Sequence, residues 1–255
     1  MEKILLRPYF DVKPWGGDLL ASIFGCKPHT GEAWIVSTIP SKESYIVGGD
    51  FDNKPLSEYI KTHHLALGLD KNEDFPVLIK LLDAKENLSI QVHPDDEYAI
   101  SKGFHNGKYE CWYVLDETTT NKVIFGIKKV DRSVLEKSII DGKLEQYLNY
   151  KEIKKHDLLK VVPGTVHAIV GGSFFLEVQD PCDITYRLYD YNRLPKRELH
   201  IEDSLNVIYK KHKPVDLEKY SILDRENDFI IRIKNYNKFY FLVEKKTYKT
   251  YLIIL

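Results

Sequence analysis

Cysteine is scarce in this chain. Cys26, Cys111 and Cys182 are odd in number among 255 residues, and no two of them form a Cys-x-x-Cys pair. That pattern excludes a disulfide framework and a thiolate zinc site, so all three read as reduced, small apolar fillers. Long apolar runs are missing as well: nothing approaches the roughly 18 uninterrupted residues of a bilayer-spanning helix. The opening Met1-Glu2-Lys3-Ile4-Leu5-Leu6-Arg7-Pro8 is too short of apolar residues for a signal peptide, and a cytoplasmic location is expected. Charge of one sign is lacking too, with 37 Lys and Arg against 38 Asp and Glu. Without a basic run to follow a phosphate backbone, nucleic acid is not an expected partner, and neither is a membrane. Repeats and low-complexity tracts are absent. What is present, 43% hydrophobic residues over this length, suffices for a sizeable core.

The pattern of that hydrophobic content is mainly β. Short strands are expected at Ile4 to Leu6, Gly31 to Ser37, Cys111 to Leu115, Lys122 to Ile127, His156 to Val162, Val166 to Val170, Phe174 to Gln179 and Ile184 to Tyr189, with Gly or Pro at most joints. Many closely spaced strands of this kind argue for a sandwich or jelly-roll barrel. Helices are expected after the Trp15-Gly16-Gly17 turn, from Asp18 to Phe24, and after Pro55, where Leu56, Tyr59, Ile60 and Leu67 recur at helical spacing. His63 and His64 are adjacent, face different directions and take no metal role. A helical insertion covers about 131–148, with Asp131 able to cap it. Residues 209–228 read as a polar connector, and 229–255 as a further β module of about three strands. The apolar ending Leu252-Ile253-Ile254-Leu255 is expected to leave an unpaired edge or to demand a partner, so monomer and homodimer are both open.

One stretch departs from ordinary sheet patterning. From Leu88 to His93 the residues alternate strictly, with Leu88, Ile90 and Val92 on one face and Ser89, Gln91 and His93 on the other. A solvated face would carry long charged side chains, whereas a hydroxyl, an amide and an imidazole in succession suit the lining of a site. Pro94 stops the strand, and Asp95 or Asp96 can cap a short helix behind it. Polar residues interrupt other apolar strands: Lys80 within Phe75 to Leu82, Glu110 before Cys111-Trp112-Tyr113, and His167 after Pro163-Gly164-Thr165-Val166. Lys80 could merely extend its ammonium to water. Gln91, His93, Glu110 and His167 together offer an amide oxygen, two imidazoles and a carboxylate. Such a set without thiolate suits one zinc ion in an open catalytic site, or another divalent first-row metal.

Gln91-Val-His93-Pro, Lys108-Tyr-Glu110-Cys-Trp112-Tyr, Gly164-Thr-Val-His167-Ala and Tyr186-Arg187-Leu-Tyr-Asp-Tyr resemble the motif set of the type I mannose-6-phosphate isomerases, a zinc-dependent cupin family. Trp15-Gly-Gly, Gly31-Glu-Ala-Trp34 and Arg197-Glu-Leu-His200 resemble that family's short bacterial forms. The likeness runs from about Leu6 to Asn206. It implies a catalytic cupin domain over 1–208, including the helical insertion, followed by an incomplete second cupin-like module. It further implies that Gln91, His93, Glu110 and His167 bind zinc, that Lys80, Ser89 and Lys108 line a sugar-phosphate site with Trp15 beside it, and that Glu177, Asp183 and Arg187 stand next to the sugar. Two features differ from the family pattern: Ile169 stands where many members have tyrosine, and the second barrel is short.

The implied reaction interconverts mannose 6-phosphate and fructose 6-phosphate by proton transfer between C2 and C1 through an enediol. Arg187 would stabilise an oxyanion, oriented by Asp183 on the same strand face. Glu177, flanked by Phe174, Phe175, Leu176 and Val178, would have a raised carboxyl pKa and shuttle protons, unless it is instead a carboxylate paired with a basic residue. Two competing expectations are a catalytically inactive cupin that binds sugar phosphate as a regulator, and a metal cupin of another activity such as an oxygenase. The complete ligand set with Arg187 argues against the first, and Gln91 with the lysines against the second.

Overall fold

The structure is a computed structural model that describes residues 1–116 and 118–255. Its seventeen strands, numbered in chain order, form three sheets with antiparallel pairing. The middle sheet runs β10 (Leu158–Val161), β7 (Glu110–Val114), β12 (Ser173–Gln179), β5 (Leu78–Ala84), β3 (Thr30–Val36), β2 (Tyr9–Val12). On one side lies the sheet β14 (Tyr220–Asp224), β15 (Asp228–Ile233), β16 (Phe239–Glu244), β17 (Thr250–Ile254), β1 (Glu2–Arg7), β4 (Tyr45–Val47). On the other lies the smaller sheet β13 (Tyr186–Tyr189), β6 (Ile90–Val92), β11 (His167–Ala168), β8 (Lys122–Ile127), β9 (Leu148–Glu152). The middle and smaller sheets enclose the site, as the jelly-roll expectation requires.

The middle sheet is buried on both faces. Alternate residues Ile79, Leu81, Cys111, Tyr113, Leu176 and Val178 pack with Ile4, Leu252, Phe241 and Ile231 of the first sheet into the largest core. The intervening residues Leu82, Ala84, Trp112, Val114 and Phe175 point the other way, into a second cluster with Trp15, Leu88 and Ile169. Two-sided burial is the physical reason why Phe75 to Leu82 and Phe174 to Gln179 read as nearly continuous apolar runs, and all seven residues of β5 and of β12 are buried. The smaller sheet turns Ile90, Val92, Ile124 and Leu188 outward onto a third cluster. Leu135 and Ile139 of α4 (Arg132–Ile140) and Leu205 and Val207 of α5 (Ile201–Ile208) cover it.

Several elements differ from the sequence expectation. Residues 209–228 contain β14, which pairs with β15 in full register, so they are more than a connector. The apolar ending is no edge: β17 lies between β16 and β1, with Ile254 opposite both Phe239 and Glu2. The sheet therefore draws strands from both 1–208 and 229–255. Helix α1 (Leu19–Phe24) is capped from a distance, where the Asp83 carboxylate accepts from Leu19 N at 2.7 Å and Leu20 N at 3.2 Å. A Cβ on Gly17 would lie 2.3 Å from that carboxylate, which explains the second glycine of the Trp-Gly-Gly turn. In the insertion, α4 is followed by a 3₁₀ turn, Leu144–Tyr147, and Leu148 already belongs to β9. Helix α2 (Leu56–Leu67) follows Pro55 as its spacing predicts. No helix among the described residues is long and apolar enough to cross a membrane.

Candidate active site

The alternation in β6 does what the sequence predicts. Ile90 and Val92 enter the helix-covered core, and Ser89, Gln91 and His93 face the interior between the sheets. Strand β11 lies against β6 with His167 opposite Gln91. Across the interior, Glu110 opens β7. Its placement beside His93 depends on a close backbone approach: Lys108 N donates to Pro94 O at 3.0 Å, and Gly107 N to Asp96 Oδ1 at 2.8 Å. A Cβ on Gly107 would meet the Asp95 carbonyl carbon and Pro94 O at 2.5 Å, so only glycine fits. Asp95 Oδ1 accepts from Tyr98 N at 3.0 Å and caps α3 (Asp96–Ser101), which holds the strand end where Pro94 left it.

His93, Glu110 and His167 bring one ligand atom each to within 4.8 Å of one another, and all three are buried. Burial, helped by the Lys108 charge, drives the His93 pKa well below the usual imidazole value. Burial likewise lowers His167 to about 4, so both rings are neutral at pH 7 with a lone pair to offer. His167 Nδ1 lies 2.8 Å from Thr165 O, which assigns the proton to Nδ1 and turns a bare Nε2 toward Glu110 Oε1 at 3.4 Å. Neither carboxylate oxygen of Glu110 accepts a hydrogen bond, although Lys108 Nζ stands 2.9 Å from Oε2. A buried carboxylate without hydrogen bonds beside two neutral imidazoles is an unfavourable arrangement that a divalent cation would relieve. The Gln91 amide adjoins the cluster, with Nε2 3.4 Å from His167 Nε2 and Oε1 accepting from Ser89 Oγ at 3.3 Å.

Beside the cluster is a cavity of about 220 Å³. Lys13, Lys80, Lys108, Arg187 and Arg197 line it against Glu32, Glu177 and Asp183, an excess of basic groups suited to an anionic ligand. Trp15, Ser89 and Gln91 complete much of the wall. The structure thus brings together all eleven residues singled out from the sequence, the eight cavity residues and the three of the buried cluster, with Lys108 of the cavity wall reaching the cluster. Burial disfavours the Lys80 ammonium, but Glu177, Glu32 and Asp183 outweigh it and hold its pKa above the ordinary lysine value.

Two expected arrangements are corrected. Asp183 does not orient Arg187. Its carboxylate accepts from Lys42 Nζ at 2.7 Å, while Arg187 is held by Ser89 Oγ at 3.2 Å and Glu198 O at 2.9 Å. The reason is backbone geometry, since β13 begins only at Tyr186 and Asp183 sits in the irregular segment before it. Glu177 is not surrounded by apolar groups: on the interior face its carboxylate lies 3.2 Å from Lys80 Nζ and accepts from Trp112 Nε1 at 3.0 Å. Phe174, Leu176 and Val178 point to the opposite core. Lys108 also stands closer to the cluster than a purely phosphate-binding lysine would, 3.3 Å from His93 Nε2. Sequence reasoning missed Lys13, Lys42, Glu32 and Arg197 as site residues. Glu32 and Arg197 lay within quoted motifs, and an acid inside the Gly31-to-Ser37 strand was the available signal. No tyrosine lines the cavity among the described residues, and Ile169 packs in the core beside Trp15.

Comparison with known proteins agrees with this geometry. A family model described as phosphomannose isomerase type I, catalytic domain, matches residues 4–116. A mannose-6-phosphate isomerase of Streptococcus mutans is 37% identical over 214 residues, covering 81% of this chain and 68% of its own. The chain belongs to the type I phosphomannose isomerase family. A second member, the Bacillus subtilis mannose-6-phosphate isomerase ManA, is also 37% identical over 214 residues, with the same coverage of 81% and 68%. The crystal structure of a Bacillus subtilis mannose 6-phosphate isomerase superimposes with a TM-score of 0.79 at 34% identity, covering 95% of this chain and 79% of that one. Like the phosphomannose isomerases it resembles, the chain has the cupin fold, and it is an enzyme of the mannose-6-phosphate isomerase class.

Proposed function

We propose that this chain interconverts mannose 6-phosphate and fructose 6-phosphate through an enediol, with one zinc ion per chain. The observation that carries the proposal is the meeting of the buried His93, Glu110 and His167 cluster with a cavity rich in basic side chains. With the amide of Gln91 turned so that its oxygen instead of its nitrogen faces His167, these residues would hold the zinc, and a bound zinc ion supplies a Lewis acid for the sugar oxygens. Lys80 and Ser89 take the phosphate, with Lys108 at the junction between phosphate and cluster. Binding energy from the phosphate is thereby used away from the reacting carbons.

Arg187, fixed by Ser89 and the Glu198 carbonyl, donates to the oxygen on which charge develops. It keeps its proton at neutral pH and so is no base. Glu177, steadied by Lys80 and Trp112, is placed to carry the proton between C2 and C1. Asp183, held by Lys42, faces the same cavity, and Trp15 closes one wall. Isomerase rather than regulator is supported by the combination of the His93, Glu110 and His167 cluster with Arg187 in the same cavity, a charged oxyanion partner beside a metal-ligating set that sugar-phosphate binding alone would not need.

The test separates metal from turnover. His167→Ala is expected to lose most bound zinc and activity, whereas Arg187→Ala keeps the zinc and loses turnover by about a hundredfold or more, the size of losing a charged oxyanion donor. Metal analysis and rate measurement on both variants decide, and an active His167→Ala protein would remove the ligand assignment.

A further inference from the structure

We propose that the buried indole of Trp34 is a positioning residue for the reaction, its ring face holding the two ammonium groups that fix the cavity carboxylates Glu177 and Asp183. Trp34 is fully buried in β3, and in the middle sheet it lies opposite Lys80, which in turn lies opposite Glu177. Lys80 Nζ and Lys42 Nζ each stand 4.6 Å from the Trp34 ring centroid. Each ammonium then reaches one carboxylate of the cavity, Lys80 to Glu177 at 3.2 Å and Lys42 to Asp183 at 2.7 Å. The same indole donates Nε1–H to Glu32 at 2.7 Å, so three acids of the cavity depend on one ring.

Charged groups compete for partners inside this small space. Two lysines close to one cavity repel each other, and Lys80 is also drawn to the phosphate it contacts, so each ammonium needs a second hold to stay beside its carboxylate. An aromatic face attracts a cation with a fixed geometry and is not itself neutralised by the substrate, and the attraction is strong where water is excluded. Trp34 thereby keeps both ammoniums available to the carboxylates as the ligand comes and goes. A tryptophan serves better than phenylalanine here, because it combines the strongest ring quadrupole with an N–H for Glu32.

This inference rests on the isomerase reading of the cavity, and its test is built so that the two can fail separately. Mono-, di- and tetrafluorinated tryptophan placed at position 34 keep the shape of the ring while weakening its face. For the metal-loaded enzyme acting on mannose 6-phosphate, kcat is expected to fall stepwise, by about tenfold at the tetrafluorinated ring, while KM changes by less than about twofold. In a Lys42→Met background the same series should show a shallower but non-zero slope. Fluorination acidifies the indole N–H and strengthens its bond to Glu32, so a falling rate reports the ring face. A flat series overturns the proposal, and so does a loss that follows the melting temperature instead of the fluorine number. Without any turnover, the ε-methylene protons of Lys42 and Lys80 in labelled protein should be shifted upfield by the ring and return to ordinary positions in Trp34→Leu. Ordinary positions in the native protein would refute the contact even if the enzyme is active.

Discussion

At the scale of single residues, the site is a set of charges held in place by other charges. Asp190 shows how far this extends from the cavity. Its carboxylate accepts from Arg197 Nε at 2.7 Å and Arg193 Nη1 at 3.0 Å, and Arg197 lines the cavity. Burial opposes the charged form of Asp190, but the hydrogen bonds and charges of Arg197 and Arg193 outweigh it and hold the pKa below the ordinary aspartate value. A carboxyl whose folded pKa is depressed adds stability that is present above its unfolded pKa, near 3.9, and lost as the pH falls through the folded value. Asp190→Asn is therefore expected to cost about 1–3 kcal/mol at pH 7. Urea titrations of both proteins should give a gap that narrows below about pH 4. A gap independent of pH would show that the loss is one of packing and not of charge.

At the scale of elements, much could be read in advance where a strand has one apolar and one chemical face. The Ser89, Gln91, His93 alternation located both the strand and the direction in which its polar side chains face, because side chains two apart must share a face. The same reasoning failed where contacts come from far along the chain. Nothing near Asp83 announces that it caps α1, and nothing near Asp183 announces Lys42, since both partnerships are made by the meeting of β5, or of the segment before β13, with distant segments. Strand β14 was hidden because its inward face holds Asp224, bonded to the Tyr113 hydroxyl, beside Tyr220 and a half-buried Ile222, while Ser221 and Leu223 face outward on an edge strand that buries little beyond Tyr220. Gly107 is a case where sequence reading stopped short: nothing in the sequence announces its role, yet it lets two backbones meet. Gly107→Ala must separate β7 from the end of β6, and we expect a stability loss of about 2 kcal/mol or more together with weakened zinc binding. Denaturation and metal titration of the variant check this, and a protein with native affinity for zinc would show that the backbone can yield.

At the scale of the whole molecule, the middle sheet ties everything together. One face carries the site and the other shares a core with the sheet built from β1, β4 and the C-terminal strands. All three tryptophans, Trp15, Trp34 and Trp112, are buried in or against this middle layer, while Tyr220 and Phe241 mark the outer sheet. Unfolding is expected to be a single transition, with tryptophan fluorescence and far-ultraviolet circular dichroism coinciding in urea. Phe241→Ala, which opens the shared core, should lower the midpoint for both probes by about 3–5 kcal/mol of stability; two separated transitions would mean that the outer sheet folds as its own unit.

One assay links the buried His93, Glu110 and His167 cluster to the isomerase chemistry. Protein stripped of metal is given mannose 6-phosphate, and formation of fructose 6-phosphate is followed with and without added zinc. The account predicts negligible conversion by the stripped protein and recovery on addition of about one zinc per chain. Binding of zinc without any recovery of activity, or full activity in its absence, would contradict it.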